Sequence, residues 1–281
     1  MNIKENINGA AEVLSREGIG VPRMSAESLM MLVLGSDKAY LFAHPERELS
    51  SDEQSRFDSV IAERAAGKPL QYIIGHQEFW GLDFVVSPAV LIPRPETEHL
   101  VETALVLVHE SGNEQARIVD VGTGSGCIAL ALASELPEIQ MHATDLSSEA
   151  LEVARENARR LGFDDRVQFH QADLLGGISG EFDFVLSNPP YVGRCERDKV
   201  QREVREHEPE MAVFGGEQGM DIYRRLIPQA WAALKPGGWS LMEIGFSIEQ
   251  PVRELLTGWS DLKCVADLQG IPRVICARKP S

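Results

Sequence analysis

Arg117-Ile118-Val119-Asp120-Val121-Gly122-Thr123-Gly124-Ser125-Gly126 is the stretch that decides the fold. Its first half reads as a strand and its three alternating glycines as a tight loop, with a helix beginning near Cys127. Glycines let a backbone approach a ligand closely, and the start of a helix offers free N–H groups to an anion.

The same alternation extends outward. Gln140 to Thr144, Arg166 to Phe169, Phe182 to Leu186 and Trp239 to Ile244 are strand-like. Helical patterns fit between them, such as Ser147 to Leu161, where Leu151, Ala154 and Ala158 share a face. This order predicts an α/β domain whose mostly parallel sheet is covered on both faces. The last two runs, Leu262 to Asp267 and Arg273 to Arg278, are separated only by a turn at Gly270-Ile271-Pro272. That is too short for a parallel crossover, so the final strand should be antiparallel.

Residues 1–74 have a different texture and are expected to form a small helical domain. Ile3, Ile7, Ala10 and Leu14 recur at helix spacing until Gly18-Ile19-Gly20. Ser25 is expected to cap a second helix that ends at Gly35, and Ser50 with Glu53, or Ser51 with Gln54, makes a capping box. Residues 75–95 are expected to form a linker with a short hairpin turning at Gly81-Leu82. Residues 96–281 should then be the catalytic domain, with Pro95, Glu96 and Glu98 suited to the first turn of its first helix.

Composition narrows the function. With 281 residues, 43% hydrophobic, the chain can bury one large core and a small one. A formal net charge of −16 makes it a poor candidate for tracking a phosphate backbone. Cys127, Cys195, Cys264 and Cys276 form no C-x-x-C pair, and no His stands at metal-ligand spacing, so no metal site is expected. Met1 to Asn6 carries no signal-type apolar stretch, and the longest apolar runs are too short to span a bilayer. A cytoplasmic, non-membrane protein is expected, acting as a monomer.

The glycine spacing is G-x-G-x-G, unlike the dinucleotide fingerprint, and no G-K-[ST] follows. A cofactor without phosphates, S-adenosylmethionine, fits better. Its carboxylate could face the loop amides of Gly122, Thr123, Gly124, Ser125 and Gly126. Asp120 could favour its ammonium or sulfonium side. Asp145, with Leu146 beside it, ends the next strand where an acid can accept from ribose hydroxyls. Asp173, followed by Leu174, could accept from the adenine amine. Asp145 could equally cap the following helix, and Asp173 could be a turn acid before Gly176-Gly177.

Asn188-Pro189-Pro190-Tyr191 follows the strand Phe182 to Leu186, on the sheet edge that carries the glycine loop. The Asn188 carbonyl and the Pro189 backbone carbonyl can accept both hydrogens of one –NH2 group, and Tyr191 can pack over a planar group. Such a clamp would turn the nitrogen lone pair toward a methyl donor, so proximity and alignment supply most of the rate.

With these motifs the chain resembles the protein-(glutamine-N5) methyltransferases acting on peptide chain release factors, the PrmC or HemK family. The likeness covers nearly the whole chain, although the N-terminal segment matches more in pattern than in residues. It includes Phe79-Trp80-Gly81-Leu82, Leu91-Ile92-Pro93-Arg94-Pro95-Glu96-Thr97-Glu98, Glu203-Val204, Glu208-Pro209 and Gly215-Gly216-Glu217-Gln218-Gly219-Met220-Asp221-Ile222-Tyr223-Arg224. Gln218 and Met220 stand where family members often have Asp and Leu, a change expected to leave activity intact. The resemblance implies a seven-stranded, Rossmann-like class I S-adenosylmethionine-dependent methyltransferase. It also implies methyl transfer to the glutamine amide of the Gly-Gly-Gln motif in class 1 release factors, during translation termination. Asn188 to Tyr191 would hold that amide, and Gly122 to Gly126, Asp145, Leu174 and Asn188 would line the cofactor pocket. Leu174 stands where some relatives carry an aromatic on adenine. Arg94 and Glu96 would either help close the site or stiffen the linker, and the helical domain would dock the release factor. The competing reading is an adenine-N6 DNA or RNA methyltransferase, which poses the same orientation problem but calls for a basic groove or target domain. The net charge of −16 and the absence of Lys/Arg-rich tracts count against it. A non-enzymatic scaffold would be expected to have lost the loop, Asp145 or the tetrad.

Overall fold

The computed structural model describes residues 1–281. In chain order the helices are α1 (Ile3–Arg16), α2 (Pro22–Leu34), α3 (Lys38–Ala43), α4 (Ser51–Ala65), α5 (Leu70–Ile74), α6 (Glu98–Ser111), α7 (Cys127–Glu135), α8 (Ser148–Leu161), α9 (Arg202–His207), α10 (Glu210–Val213), α11 (Asp221–Ala233) and α12 (Glu249–Leu255). The strands are β1 (His76–Phe79), β2 (Leu82–Val85), β3 (Arg117–Val121), β4 (Gln140–Asp145), β5 (Val167–Gln171), β6 (Phe182–Ser187), β7 (Leu234–Glu243), β8 (Ser260–Ala266) and β9 (Pro272–Arg278). They form two compact units, Met1–His76 with Gln201–His207, and Gln77–Val200 with Glu208–Ser281.

The first unit is helical. Ile3, Leu14, Leu29, Met30 and Phe57 are almost fully buried in its core. Asn2 and Glu5 form a capping box on α1, and Ser50 and Glu53 form the expected one on α4. Ser25 is not a cap. Pro22 stands in the first turn of α2, where its fixed φ is already helical, so the helix begins earlier and Ser25 is buried inside it. Gly35 ends α2 in the left-handed conformation. Arg64, only 4% exposed, donates to the Lys68 carbonyl at 2.8 Å and pairs with Glu203 of α9 at 2.7 Å. A sequence-distant segment thus supplies the carboxylate for a buried guanidinium.

The second unit is built on a seven-stranded sheet in the order β5-β4-β3-β6-β7-β9-β8. The pairs β5-β4, β4-β3, β3-β6 and β6-β7 are parallel, while β9 runs antiparallel to both β7 and β8. The short turn between β8 and β9 thus does what its length requires. β7 starts at Leu234, five residues before the Trp239 read from sequence, because Lys235-Pro236-Gly237-Gly238 continues it through an irregularity opposite β6. The chain leaves β3 for β4 and β5 on one side and returns to β6 on the other. A crevice therefore opens between the carboxyl ends of β3 and β6, the usual ligand position in such sheets. The hairpin β1-β2 belongs to this unit beyond His76. Its turn residue Trp80 donates its backbone N–H to Glu98 of α6 at 2.9 Å.

Candidate active site

The carboxyl ends of the parallel strands surround a cavity of about 460 Å³. Gly122, Thr123, Gly124 and Ser125 line it from the β3–α7 loop, Asp145 and Leu146 from the end of β4, and Asp173 and Leu174 from beyond β5. Asn188, Pro189 and Pro190 line it from beyond β6. Both halves of the sequence reading thus meet in one space. Gly126 and Tyr191 are not in the lining. Gly126 is the left-handed N-cap of α7, and a Cβ there would lie 3.3 Å from the Ala154 Cβ, so it serves close packing of α7 on α8. The Tyr191 ring packs against Gly245, where an added Cβ would lie 2.8 Å from it.

The loop is held by its neighbours. Gly122 and Thr123 both donate to the Thr144 carbonyl, at 2.8 and 2.9 Å. Asp145 accepts from the Gly124 N–H and the Ser147 N–H, each at 2.9 Å. Ser147, not Asp145, caps α8. Burial raises the Asp145 pKa, and those N–H bonds oppose the rise. Asn157 exchanges two hydrogen bonds with the Val85 backbone and donates to the Ser125 carbonyl at 2.9 Å, which ties the hairpin to the glycine loop.

Asp120 is fully buried. Its Oδ2 accepts from the Thr123 hydroxyl at 2.7 Å, while its Oδ1 has no partner. Burial pushes its pKa up to about 7, against the Thr123 bond and helped by the Asp145 charge. The Cys127 thiol is likewise pushed up to about 12, first by burial and then by Asp120. Asp173 pairs with Arg225 at 2.6 Å, so one of its carboxylate oxygens is already engaged.

Asn188 is fixed by residues the sequence reading passed over. Its Nδ2 donates to the Thr97 hydroxyl at 3.0 Å, and Thr97 donates to the Glu243 carboxylate at 2.7 Å. Thr97 and Glu243 are each only 2% exposed. The Tyr223 hydroxyl donates to the Glu243 backbone carbonyl at 2.6 Å, and the Tyr191 hydroxyl bears on its carboxylate. Burial raises Glu243 to about 7, the Thr97 bond lowering it and the Glu96 charge raising it. Thr97 lies inside the quoted Leu91–Glu98 stretch. The signal in the sequence for Glu243 is an acid inside the strand-like run Trp239 to Ile244.

The late glycines brace the tetrad. Gly215 donates to the Val192 carbonyl at 3.0 Å, and Arg194 donates to the Gly216 carbonyl at 2.9 Å. A Cβ at Gly215 would lie 2.1 Å from the Pro190 carbonyl oxygen. Arg94 and Ile92 both donate to the buried Glu208, joining the Leu91–Glu98 stretch to the segment whose Pro209, Met211 and Ala212 also line the cavity.

Residues 5–75 match the PrmC N-terminal domain and residues 98–218 the methyltransferase small domain. The chain is 55% identical over its whole length, and the whole of the relative, to the release factor glutamine methyltransferase of Koribacter versatilis. It is 38% identical to that of Geobacter sulfurreducens over 98% of this chain and 96% of the relative. The chain belongs to the release factor glutamine methyltransferase family. Its fold is that of the class I S-adenosylmethionine-dependent methyltransferases. A methyltransferase from Pyrococcus furiosus superposes with a TM-score of 0.53 at 19% identity, covering 81% of this chain and 100% of that one. The hMettl16 catalytic domain, in complex with a MAT2A 3′UTR hairpin, superposes with a TM-score of 0.57 at 17% identity, covering 77% and 81%. At these identities the likeness shows the fold alone. In this chain the Leu91–Glu98 stretch and the late glycines both bear on the loop that carries Asn188.

Proposed function

We propose that this protein transfers a methyl group from S-adenosylmethionine to the side-chain amide nitrogen of the Gly-Gly-Gln glutamine in class 1 peptide chain release factors. The observation that carries the reading is Asn188, held by its NH2 group so that its carbonyl oxygen is left for a substrate N–H, at the rim of a cavity lined by the glycine loop.

The residues fit the cofactor. The cavity is within the volume range of small-molecule sites. A Cβ at Gly122 or Gly124 would meet no atom, so the loop leaves room for a ligand against its backbone. Gly122 to Ser125 would receive the methionine end, with Gly126 setting the start of α7. Asp145 and Leu146 would hold the ribose, and Asp173 and Leu174 the adenine. When bound, S-adenosylmethionine supplies an electrophilic methyl group.

An amide nitrogen is a poor nucleophile because its lone pair is delocalised, so the protein's work is orientation. Asn188 Oδ1 and the Pro189 carbonyl would each accept one hydrogen of the glutamine NH2, turning its lone pair toward the methyl. The carbon–sulfur bond would break as the carbon–nitrogen bond forms, leaving S-adenosylhomocysteine, and the nitrogen, cationic after transfer, would release one of its two protons. Pro190 would stiffen this loop, and Tyr191 would flank it from the Gly245 side. Arg94, through Glu208, would hold the neighbouring wall of the cavity. The helical unit would dock the release factor.

No helix is long and apolar enough to cross a membrane. We take the protein to act as a monomer in a reducing, cytoplasmic setting without direct contact with nucleic acid. The acidity argues against a phosphate backbone and the cysteine pattern against a disulfide framework. The adenine-N6 reading is not favoured, because relatives aligned over the whole chain carry the release-factor name.

Incubation with labelled S-adenosylmethionine and purified release factor, followed by mass-spectrometric mapping, tests the proposal. Label is expected on the Gly-Gly-Gln glutamine. Label on duplex DNA or RNA instead, with none on that glutamine, would sink it.

A further inference from the structure

We propose that Glu243, acting through Thr97, sets the polarity of the Asn188 amide, so that Asn188 presents its carbonyl oxygen and not its NH2 group to the substrate. The inference rests on the reading of Asn188 as the substrate clamp and goes beyond it, since it assigns the clamp's direction to Thr97, at the cavity wall, and to Glu243, which lies behind it.

A threonine hydroxyl has a single hydrogen. That hydrogen goes to Glu243 Oε2, 2.7 Å away, so Thr97 can offer Asn188 only a lone pair. A lone pair is filled by the Asn188 Nδ2–H at 3.0 Å, which leaves Oδ1 for the incoming –NH2. Thr97 and Glu243 are each only 2% exposed, so bulk water competes little for these bonds. If Glu243 carries a proton, the chain can reverse. Thr97 then accepts from the Glu243 carboxyl, its own hydrogen turns to Asn188, and the amide flips. Two N–H donors would then confront a substrate –NH2, and the hydrogen bonds of the clamp could not form.

The groups around Glu243 make its charge adjustable. Arg273 on β9 favours the ionised form, while Glu96, in the turn that carries Thr97, opposes it. The Tyr191 hydroxyl, beyond β6, bears on the carboxylate. Tyr223 on α11 bonds the backbone carbonyl and so fixes the end of β7 without touching the carboxylate. Cys127 on α7 faces the same region with its thiol held neutral. With burial raising Glu243 to about 7, its ionisation falls within the range where enzymes are assayed. The clamp is therefore set above that value and lost below it. Thr97 and Glu243 are positioning residues, because they act on the substrate only through Asn188.

The test uses the full chain with release factor and saturating S-adenosylmethionine, measuring kcat and KM between about pH 5 and pH 9. The wild type should show an acid limb in kcat. Thr97→Val should lower kcat by about 10²-fold and lose that limb, with the dissociation constant for S-adenosylmethionine unchanged by calorimetry. Thr97→Ser should restore both rate and limb. Glu243→Gln, whose amide can offer Thr97 either an oxygen or an NH2, should lose the limb whatever rate it retains. If Glu243→Gln does not fold, the Thr97→Val and Thr97→Ser pair decides. A Thr97→Val enzyme with wild-type kcat, or an acid limb that survives in Glu243→Gln, overturns the proposal alone. A wild type that leaves the release-factor glutamine unmethylated overturns the functional reading and this proposal with it.

Discussion

Gly219 lies so close to Tyr191 that a Cβ on it would sit 2.1 Å from the Tyr191 carbonyl oxygen. No side chain can occupy that position without moving the backbone of the loop that carries Asn188. Gly219 also has φ +73°, a left-handed conformation that L side chains rarely adopt. Gly219→Ala should therefore cost about 2 kcal/mol or more and displace the tetrad. The expected outcome is a lower thermal midpoint together with a fall in methyl transfer. Unchanged values of both would show that the loop yields freely.

Asn188→Ala should separate activity from stability. The side chain is half-buried at the cavity rather than in the core, and its one bond goes to Thr97. We expect kcat to fall about 10²-fold or more while the urea midpoint changes little. Equal losses in both would assign Asn188 a purely structural role.

Asp145→Ala should weaken S-adenosylmethionine binding at least about tenfold, the effect of losing hydrogen bonds to a charged group. It should also free the Gly124 N–H that Asp145 now holds. Calorimetry of the cofactor reads the first effect. Amide exchange at Gly124 reads the second and should be faster in the variant.

Stability should fall as pH rises through neutrality, in part because of Asp120. Its folded-state pKa is raised from an ordinary 3.8 to about 7. The folded protein thus keeps a proton that the unfolded chain releases. The stability this contributes is fully present below the unfolded value and is lost as pH climbs through about 7, by at most ~4 kcal/mol. Asp120→Asn has no proton to lose, so its urea midpoint should decline less than the wild type's between about pH 5 and pH 8. Parallel declines would count against a raised Asp120.

The strand, glycine loop and helix from Arg117 onward were legible because every signal in them is local. Glycines at alternate positions report a backbone requirement wherever the chain goes next. The antiparallel β9 was legible for a similar reason, since a turn of that length leaves no alternative. The support of Asn188 was not. Asn188 and Thr97 are 91 residues apart and Thr97 and Glu243 are 146 apart, so no window of sequence contains the chain of bonds. Ser25 misled because a good capping residue says nothing of a proline three positions earlier that already starts the helix. No local pattern announces that Gly126 packs α7 on α8, or that Tyr191 sets its ring against Gly245 and its hydroxyl on Glu243.

The pairing of Arg64 with Glu203 has a practical consequence. Both belong to the helical unit, yet Glu203 arrives on a short helix more than a hundred residues downstream. Cutting the chain after His76 would leave a buried cation without its carboxylate, and such a cation is costly to strand. An expression fragment of this unit would need the α9 segment grafted back, or Arg64 replaced, before its fold could be judged apart from the rest of the protein.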